Sequence, residues 1–222
     1  MLDGKKVVVI GGGSGIGAAT AALATSEGAS VEVGSRSTKG RTVDVRDEAS
    51  VAAFFAAIGP FDHLAITAGD WGGPMRAGTA DIDLAASRSL FDVRFWGVIA
   101  AVKHATKTIA ATGSITLTSG MLVHRPMKGM PLAAALGAVE HLARGFAVDL
   151  APVRVNAVCP GLVLTEVVKA QWPEQYRNAA VAPLPIPRVA TPEEAAKAYV
   201  YLMSNGYVTG QILPVDGGGM LI

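Results

Sequence analysis

The sequence predicts an α/β fold, in which helices cover both faces of a doubly wound, seven-stranded parallel sheet. Short apolar runs rich in Val and Ile alternate with longer Ala-rich stretches of helical period, a pattern typical of β-α-β units. The run from Val7 to Ile10 is apolar at every position. A strand with one face in water would alternate apolar and polar residues, so helices are expected on both sides of the sheet.

The predicted elements follow from two periods in the sequence. Seven short apolar runs predict strands over residues 5–10, 30–34, 41–45, 61–67, 113–119, 153–158 and 211–215. Five stretches with apolar residues at helical spacing predict helices over residues 16–27, 48–57, 84–111, 133–150 and 192–204.

The last predicted helix has the clearest boundary. Thr191 can cap its first turn, Pro192 suits the first helical position because its ring fixes φ, and Glu194 stands where a reciprocal capping carboxylate belongs. In contrast, residues 166–190 contain four prolines and no sustained period. They are expected to form a mobile loop with one short helix at most, which would serve as a substrate-binding lid.

Composition argues for one domain spanning residues 1–222. Hydrophobic residues make up 50% of the chain and charged residues 17%, against a typical charged share of about 25%, so a large core and subunit contacts are expected. The net charge is +1 without a dense basic run, which argues against a nucleic-acid partner. The single cysteine, the lack of a secretory signal pattern and the lack of a span of roughly 18 apolar residues predict a soluble cytoplasmic protein.

A cluster of glycines lies between the first predicted strand and the first predicted helix. Glycine permits positive φ and close backbone approach, and the helix N-terminus offers unpaired N–H groups to a pyrophosphate. The segment favours a dinucleotide, although a flexible turn without a ligand would also be rich in glycine. Its candidate cofactor-binding residues are Gly11, Gly13, Ser14, Gly15, Ile16 and Gly17.

Several short motifs follow one another along the chain. The glycines are spaced G-x-x-x-G-x-G, residues 67–69 are Thr-Ala-Gly, an apolar run ends at Ser119, and residues 160–165 have the form P-G-x-x-x-T. In these motifs, from residue 5 to residue 219, the chain resembles the short-chain dehydrogenase/reductase family. The resemblance implies a single-domain Rossmann fold and a catalytic role for Ser119. It also implies contacts with the adenine and nicotinamide ends of the cofactor, made by Asp44, Val45, Ala68, Gly69, Pro160, Gly161, Val163 and Thr165.

The end of the second predicted strand indicates which cofactor is preferred. Proteins that bind NAD usually place a carboxylate there, which bonds the ribose hydroxyls and repels a 2′-phosphate. Here the turn carries Ser35 and Arg36, a hydroxyl and a cation that suit a phosphate. We therefore predict NADP(H), with Glu32 pointing elsewhere, while Arg36 as a solvated surface charge is the alternative.

The chain departs from the family at its catalytic centre. The family uses a serine, a tyrosine, a lysine four residues after the tyrosine, and an asparagine. The family's spacing from Ser119 places Leu132 and Leu136 at the tyrosine and lysine positions, and Arg94 at the asparagine position. Two leucines supply neither proton nor charge. Arg94 can stabilise a developing oxyanion or bind a carboxylate, and a structural charge is its alternative role.

The source of the proton therefore stays open at the level of sequence. Water, Ser119, and the loop residues His124, Arg125 and Lys128 are candidates, and a histidine has the most suitable unperturbed pKa. The loop of residues 121–131 contains three methionines. Together with Trp71 and Trp172, it predicts an apolar pocket whose one positive centre is Arg94. A hydrophobic carbonyl or enone that carries an anionic group would fit such a pocket.

Two functions are consistent with these residues. The first is an NADP(H)-dependent oxidoreductase that reduces a carbonyl or enone of a small, mostly apolar substrate at a non-standard site built on Ser119 and Arg94. The second is a catalytically silent NADP(H)-binding sensor or partner subunit. The retained cofactor motifs and Ser119 favour the enzyme. The resemblance also implies a homodimer or homotetramer paired through the predicted helices 84–111 and 133–150, and no metal site is predicted.

Overall fold

A computed structural model describes residues 1–36, 41–70 and 77–222. Its strands are β1 (Lys6–Ile10), β2 (Ser30–Ser35), β3 (Arg41–Thr42), β4 (Phe61–Ile66), β5 (Ile109–Thr118), β6 (Arg154–Pro160) and β7 (Ile212–Val215). Its helices are α1 (Gly15–Ser26), α2 (Glu48–Ile58), α3 (Leu84–Phe91), α4 (Gly97–Ala105), α5 (Ala135–Asp149), α6 (Glu166–Gln171), α7 (Glu174–Val181) and α8 (Pro192–Ser204).

The described residues form one seven-stranded sheet in the order β3-β2-β1-β4-β5-β6-β7, with all neighbouring strands parallel. The predicted fold class is confirmed. The chain extends the sheet in one direction from β1 to β3 and in the other from β4 to β7. The crevice between the carboxyl ends of β1 and β4 is therefore the switch point, where open α/β sheets bind their ligands.

The continuous apolar character of β1 reflects two separate cores. Val8 and Ile10 pack with residues of α2, α4 and α5 on one face of the sheet. Val7 and Val9 pack with residues of α1 and α8 on the other face. Because successive side chains of a strand point to opposite faces, both sets must be apolar when helices cover both sides.

The single helix predicted over residues 84–111 is wrong. The structure instead has α3, a π-helical turn at Asp92–Trp96, α4, and then β5, which begins at Ile109. Ile109 pairs with Phe61 ahead of a register shift in the β4–β5 ladder. Residues 109–111 are small or apolar, so the sequence period does not tell whether they continue a helix or begin a strand. In the fold, pairing with β4 supplies the backbone hydrogen-bond partners that a longer helix would have supplied.

The segment of residues 166–190 also differs from its prediction. It contains two short helices, α6 and α7, where a loop with one helix at most was expected. Thr165 caps α6 by accepting a hydrogen bond from the backbone N–H of Val168 at 3.3 Å. Pro173 directly precedes α7, a position that proline tolerates because the first helical N–H groups have no intrahelical partner.

The capping box predicted for α8 is present. The hydroxyl of Thr191 accepts from the N–H of Glu194 at 3.3 Å, and the Glu194 carboxylate accepts from the N–H of Thr191 at 2.9 Å. No helix of the described residues is long and apolar enough to cross a membrane.

A buried histidine in β4 is expected to make the fold sensitive to acid. His63 is 5% exposed and hydrogen bonds through Nδ1 to the Ser114 hydroxyl at 2.9 Å. Burial lowers the pKa of His63 from 6.5 to about 4. In the unfolded chain the side chain protonates at higher pH than in the fold, so stability falls as pH drops from about 6.5 towards 4.

Because of His63, we expect the free energy of unfolding of the parent protein to fall by about 2–3 kcal/mol between about pH 7 and pH 4.5. Denaturant unfolding at both pH values measures this fall in the free energy of unfolding. In His63→Asn the fall should be smaller by about 2–3 kcal/mol. His141→Asn is the matched control because His141 is exposed on α5. An equal acid-induced loss in parent and His63→Asn would contradict the assignment.

Candidate active site

The turn after β1 brings the backbone of two strands into close contact. Gly11 has φ +89°, in the region that favours glycine, and a Cβ there would lie 2.8 Å from the Cα of Ala68. A Cβ on Gly17 would overlap the carbonyl oxygen of Gly11 and lie 2.8 Å from its carbonyl carbon. The first turn of α1 therefore packs directly on the turn, which itself packs on the end of β4.

The N-terminus of α1 is available to an anion. Its N-cap residue, Ser14, makes no side-chain capping hydrogen bond, and the first turn carries no acidic residue. The first N–H groups of a helix have no intrahelical partner and form its positive end. Across the crevice, Thr165 lies so near that a Cβ on Gly15 would stand 3.0 Å from its Cγ2. The arrangement fits a pyrophosphate held between the turn and the start of α6.

A cavity of about 680 Å³ extends along the carboxyl ends of the strands. It reaches from the end of β2, past the glycine turn, to the end of β5 and helices α6 and α7. Both candidate catalytic residues, Ser119 and Arg94, line it. All candidate cofactor residues line it as well, namely Gly11, Gly13, Ser14, Gly15, Ile16, Gly17, Ser35, Arg36, Asp44, Val45, Ala68, Gly69, Pro160, Gly161, Val163 and Thr165.

Charged side chains of both signs lie around the end of β2. Arg36 is exposed and lines the cavity. Glu32 does not line it, and its carboxylate instead pairs with the Nε of Arg41 at 3.3 Å. At the adjacent wall, hydrogen bonds from Arg46 lower the pKa of Asp44 to about 2, so Asp44 is ionised at neutral pH.

Arg94 lies on the π-helical turn and faces the end of β4. Its Nε donates to the carbonyl oxygen of Asp70 at 2.9 Å, and a Cβ on Gly69 would stand 2.6 Å from its Nη2. Burial lowers the pKa of Arg94 to about 10, which still leaves the guanidinium charged at neutral pH. Turns of π-helix occur often at functional sites. Here the turn carries Arg94, whose side chain lines the end of the cavity that also holds Ser119.

Ser119 directly follows β5 and is 3% exposed. Its hydroxyl donates to Oε1 of Glu140 at 2.9 Å. The same carboxylate oxygen hydrogen bonds to Nε2 of His124 at 3.0 Å. Sequence reasoning missed Glu140, although it stands four residues after Leu136 and therefore shares a helix face with a residue already assigned to the site.

The loop between β5 and α5 contributes an apolar wall. Met121, Met127 and Met130 line the cavity together with Trp172, whose indole N–H has no hydrogen-bond partner within the described ranges. Arg125 also lines it, whereas His124 and Lys128 do not. Trp71, which the sequence predicts at this pocket, lies outside the described residues.

Comparison with known proteins identifies the family. The family model described as Enoyl-(Acyl carrier protein) reductase matches residues 11–219. The short-chain dehydrogenase/reductase ATR9 of Stachybotrys chlorohalonatus is 33% identical over 99% of this chain and 98% of its own length. The chain belongs to the short-chain dehydrogenase/reductase family.

Further members of this oxidoreductase family match equally completely. The cis-4-hydroxycyclohexanecarboxylate dehydrogenase of Sinomonas cyclohexanicum is 36% identical over 96% of each chain. A solved structure of a small-chain dehydrogenase in complex with NADPH has a TM-score of 0.91 and 38% identity, and covers 99% of this chain and 100% of its own.

The two leucines that the family's spacing places after Ser119 differ in their position relative to the cavity. Leu136 is buried, lines the cavity and packs so closely that a Cβ on Gly120 would lie 2.9 Å from its Cδ1. Leu132 is half-buried in a 3₁₀ turn and does not line the cavity. Among the residues that the structure describes, which include all four tyrosines, no tyrosine and no lysine lines it.

Proposed function

We propose that the protein is an NADP(H)-dependent oxidoreductase that reduces a carbonyl or enone of a small, mostly apolar substrate at a non-standard active site. The observation that carries the proposal is the continuous cavity, which joins the glycine turn and Arg36 at one end to Ser119 and Arg94 at the other. A dinucleotide would lie along this cavity, and the cofactor would supply the hydride beside Ser119 and Arg94.

The preference for NADP(H) is supported by the exposed cation at the end of β2. Arg36 lines the cavity there, while the nearby carboxylate of Glu32 is engaged by Arg41. An arginine fork binds phosphate oxygens with strong, charge-assisted hydrogen bonds. A similar solved structure is a complex with NADPH.

The roles proposed for the inner residues follow from their chemistry. The Ser119 hydroxyl would hold the substrate oxygen, and the Arg94 guanidinium would stabilise negative charge as that oxygen becomes an alkoxide. The methionines and Trp172 would hold the apolar body of the substrate. Residues 166–190 would form the lid, since side chains of α6 and α7 close one wall of the cavity.

The substrate class deepens this proposal. Arg94 and Arg125 both line the substrate end, so a carbonyl compound with a carboxylate suits the site. A relative is named for a ring substrate that carries a carboxylate. We therefore propose 4-oxocyclohexanecarboxylate as the first substrate to assay, with cyclohexanone and phenanthrenequinone as uncharged comparisons. As in other family members, a homodimer or homotetramer is proposed, and the exposed apolar residues Leu84, Trp96 and Val148 support it.

The cofactor assignment predicts a selective loss in Arg36→Ala. We expect NADPH affinity to fall about 10- to 150-fold, because a hydrogen bond to a charged group contributes about 1.5–3 kcal/mol. NADH affinity should stay unchanged. Titration of tryptophan fluorescence measures both constants, since Trp172 lines the cavity. Arg88→Ala is the matched control, because Arg88 is exposed on α3 and does not line the cavity.

Two results would contradict the proposal. Equal NADPH binding by the parent and Arg36→Ala would remove the assignment of the phosphate site. Failure of all three carbonyl compounds, combined with parent-like NADPH binding by Ser119→Ala and Arg94→Ala, would favour a catalytically silent NADP(H)-binding sensor or partner subunit.

A further inference from the structure

A single carboxylate oxygen connects the wall of the cavity with solvent. Oε1 of Glu140 accepts from the Ser119 hydroxyl at 2.9 Å and hydrogen bonds to Nε2 of His124 at 3.0 Å. Ser119 lines the cavity, whereas Glu140 and His124 lie behind it. The side chain of Glu140 is 4% exposed and that of His124 is 33% exposed. The three groups therefore form a path from the substrate end of the cavity to water that does not pass through the cavity.

Backbone contacts hold the outer member of this path in place. The N–H groups of His124 and Arg125 both donate to the carbonyl oxygen of Met121 at 2.9 Å, which closes a 3₁₀ turn. A Cβ on Gly137 would stand 3.2 Å from Val123, so the turn lies directly on α5, the helix that carries Glu140. The backbone segment that carries the imidazole is thus held both by its own turn and by α5.

A buried carboxylate is costly unless other groups satisfy it. Leu136 lies one helical turn before Glu140 and brings no charge. The partners of Glu140 are instead the serine hydroxyl and the imidazole. The Cys159 thiol lies beside them, and burial raises its pKa to about 11, so at neutral pH it is a neutral neighbour that takes up no proton.

We infer that His124, Glu140 and Ser119 form a proton relay that supplies the substrate oxygen with the proton that a tyrosine supplies in other members of the family. This inference rests on the proposed function. As the carbonyl carbon gains the hydride, the Ser119 hydroxyl turns from Glu140 to the substrate and breaks its hydrogen bond to the carboxylate. The substrate oxygen takes the electron pair of the C–O double bond and accepts the hydroxyl proton. Ser119 regains a proton through Glu140, whose Oε1 takes the Nε2 proton of His124 and passes it to the serine. His124 takes a replacement proton at its exposed edge from water, which leaves as hydroxide.

Glu140→Gln tests the inner step of the relay. Glutamine preserves the size of the side chain and can hydrogen bond to Ser119, but it does not pass a proton on. We expect kcat for reduction of 4-oxocyclohexanecarboxylate with NADPH to fall about 100-fold, at the lower end of the usual contribution of general acid–base catalysis. KM and the NADPH dissociation constant should stay near the parent values, because neither Glu140 nor His124 lines the cavity.

His124→Ala tests the outer step of the relay, and its readout is rescue by added imidazole. A histidine with a purely structural role would not show this rescue. Its kcat should fall and should recover when imidazole is added to the buffer, since His124 lies at the surface. His141→Gln is the matched control, because His141 is exposed on the same helix as Glu140, and its kcat should equal that of the parent. If Glu140→Gln fails to fold, the imidazole rescue still decides the question.

Three outcomes would overturn the relay, and they differ in what else they overturn. Parent-like kcat in Glu140→Gln, with loss in Ser119→Ala, removes the relay and leaves the proposed function standing. Lack of turnover by the parent with all three carbonyl compounds overturns both. Loss of turnover in EDTA with recovery on Zn²⁺ replaces the relay by a cation held between His124, Glu140 and Cys159, whose donor atoms lie within 4.8 Å of one another.

Discussion

Replacement of Arg94 by alanine is expected to lower kcat/KM for reduction of 4-oxocyclohexanecarboxylate by about 100- to 1,000-fold, the loss that follows removal of one preorganised donor to an oxyanion. Arg94 is charged at neutral pH, since burial lowers its pKa only to about 10. Its Nε is anchored on the carbonyl of Asp70, which orients the guanidinium over Gly69. Initial rates with NADPH measure the effect, and fluorescence titration shows whether cofactor binding is retained.

Two further variants separate this electrostatic role from a structural one. Arg88→Ala removes an exposed arginine on α3 and should leave the rate at the parent value. Arg94→Lys keeps a positive charge but loses the planar fork, so its rate should lie between those of the parent and the alanine variant. A parent-like kcat/KM in Arg94→Ala would show that the guanidinium only packs against the end of β4.

Gly17→Ala is expected to weaken NADPH binding and to lower Tm by about 2–12 °C. Overpacking costs about 1–3 kcal/mol, and in a chain of this size each kcal/mol shifts Tm by about 2–4 °C. The added methyl group would overlap the Gly11 carbonyl and the Thr67 side chain, so either the glycine turn or the end of β4 must move. Thermal unfolding and NADPH titration of the same sample measure the two effects.

Gly145→Ala is the matched control for that substitution. Gly145 also lies in a helix, but a Cβ there would meet no atom within 4 Å. The change should therefore raise stability by about 0.5–1 kcal/mol, which is the helical advantage of alanine over glycine. If Gly17→Ala kept the Tm and the NADPH affinity of the parent, the close packing of α1 on the glycine turn would have no energetic consequence.

The fold was largely accessible from sequence because its signals are local. The apolar run at Val7 to Ile10 and the capping residues of α8 each specify their element within a few neighbouring residues. The break between α4 and β5 was not accessible. Residues 109–111 suit a helix or a strand, and only the pairing of Ile109 with Phe61 selects the strand.

The candidate site divides in the same way. The glycine turn and Ser119 were found by spacing, and the structure places all of them on one cavity. Glu140 was not found as a site residue. Its role depends on the burial of its carboxylate beside Ser119 and His124, and no local pattern in the sequence reports that burial.

The sequence by itself determined the α/β class and the position of the glycine turn, because periodicity and glycine spacing are properties of short segments. Only the tertiary structure decided which side chains meet behind Ser119. Ser119 and Glu140 are 21 residues apart along the chain, and His124 and Glu140 are 16 residues apart. They converge because α5 packs on one face of the sheet while the turn after β5 folds back on that helix, which brings the buried carboxylate of Glu140 within hydrogen-bond distance of both Ser119 and His124.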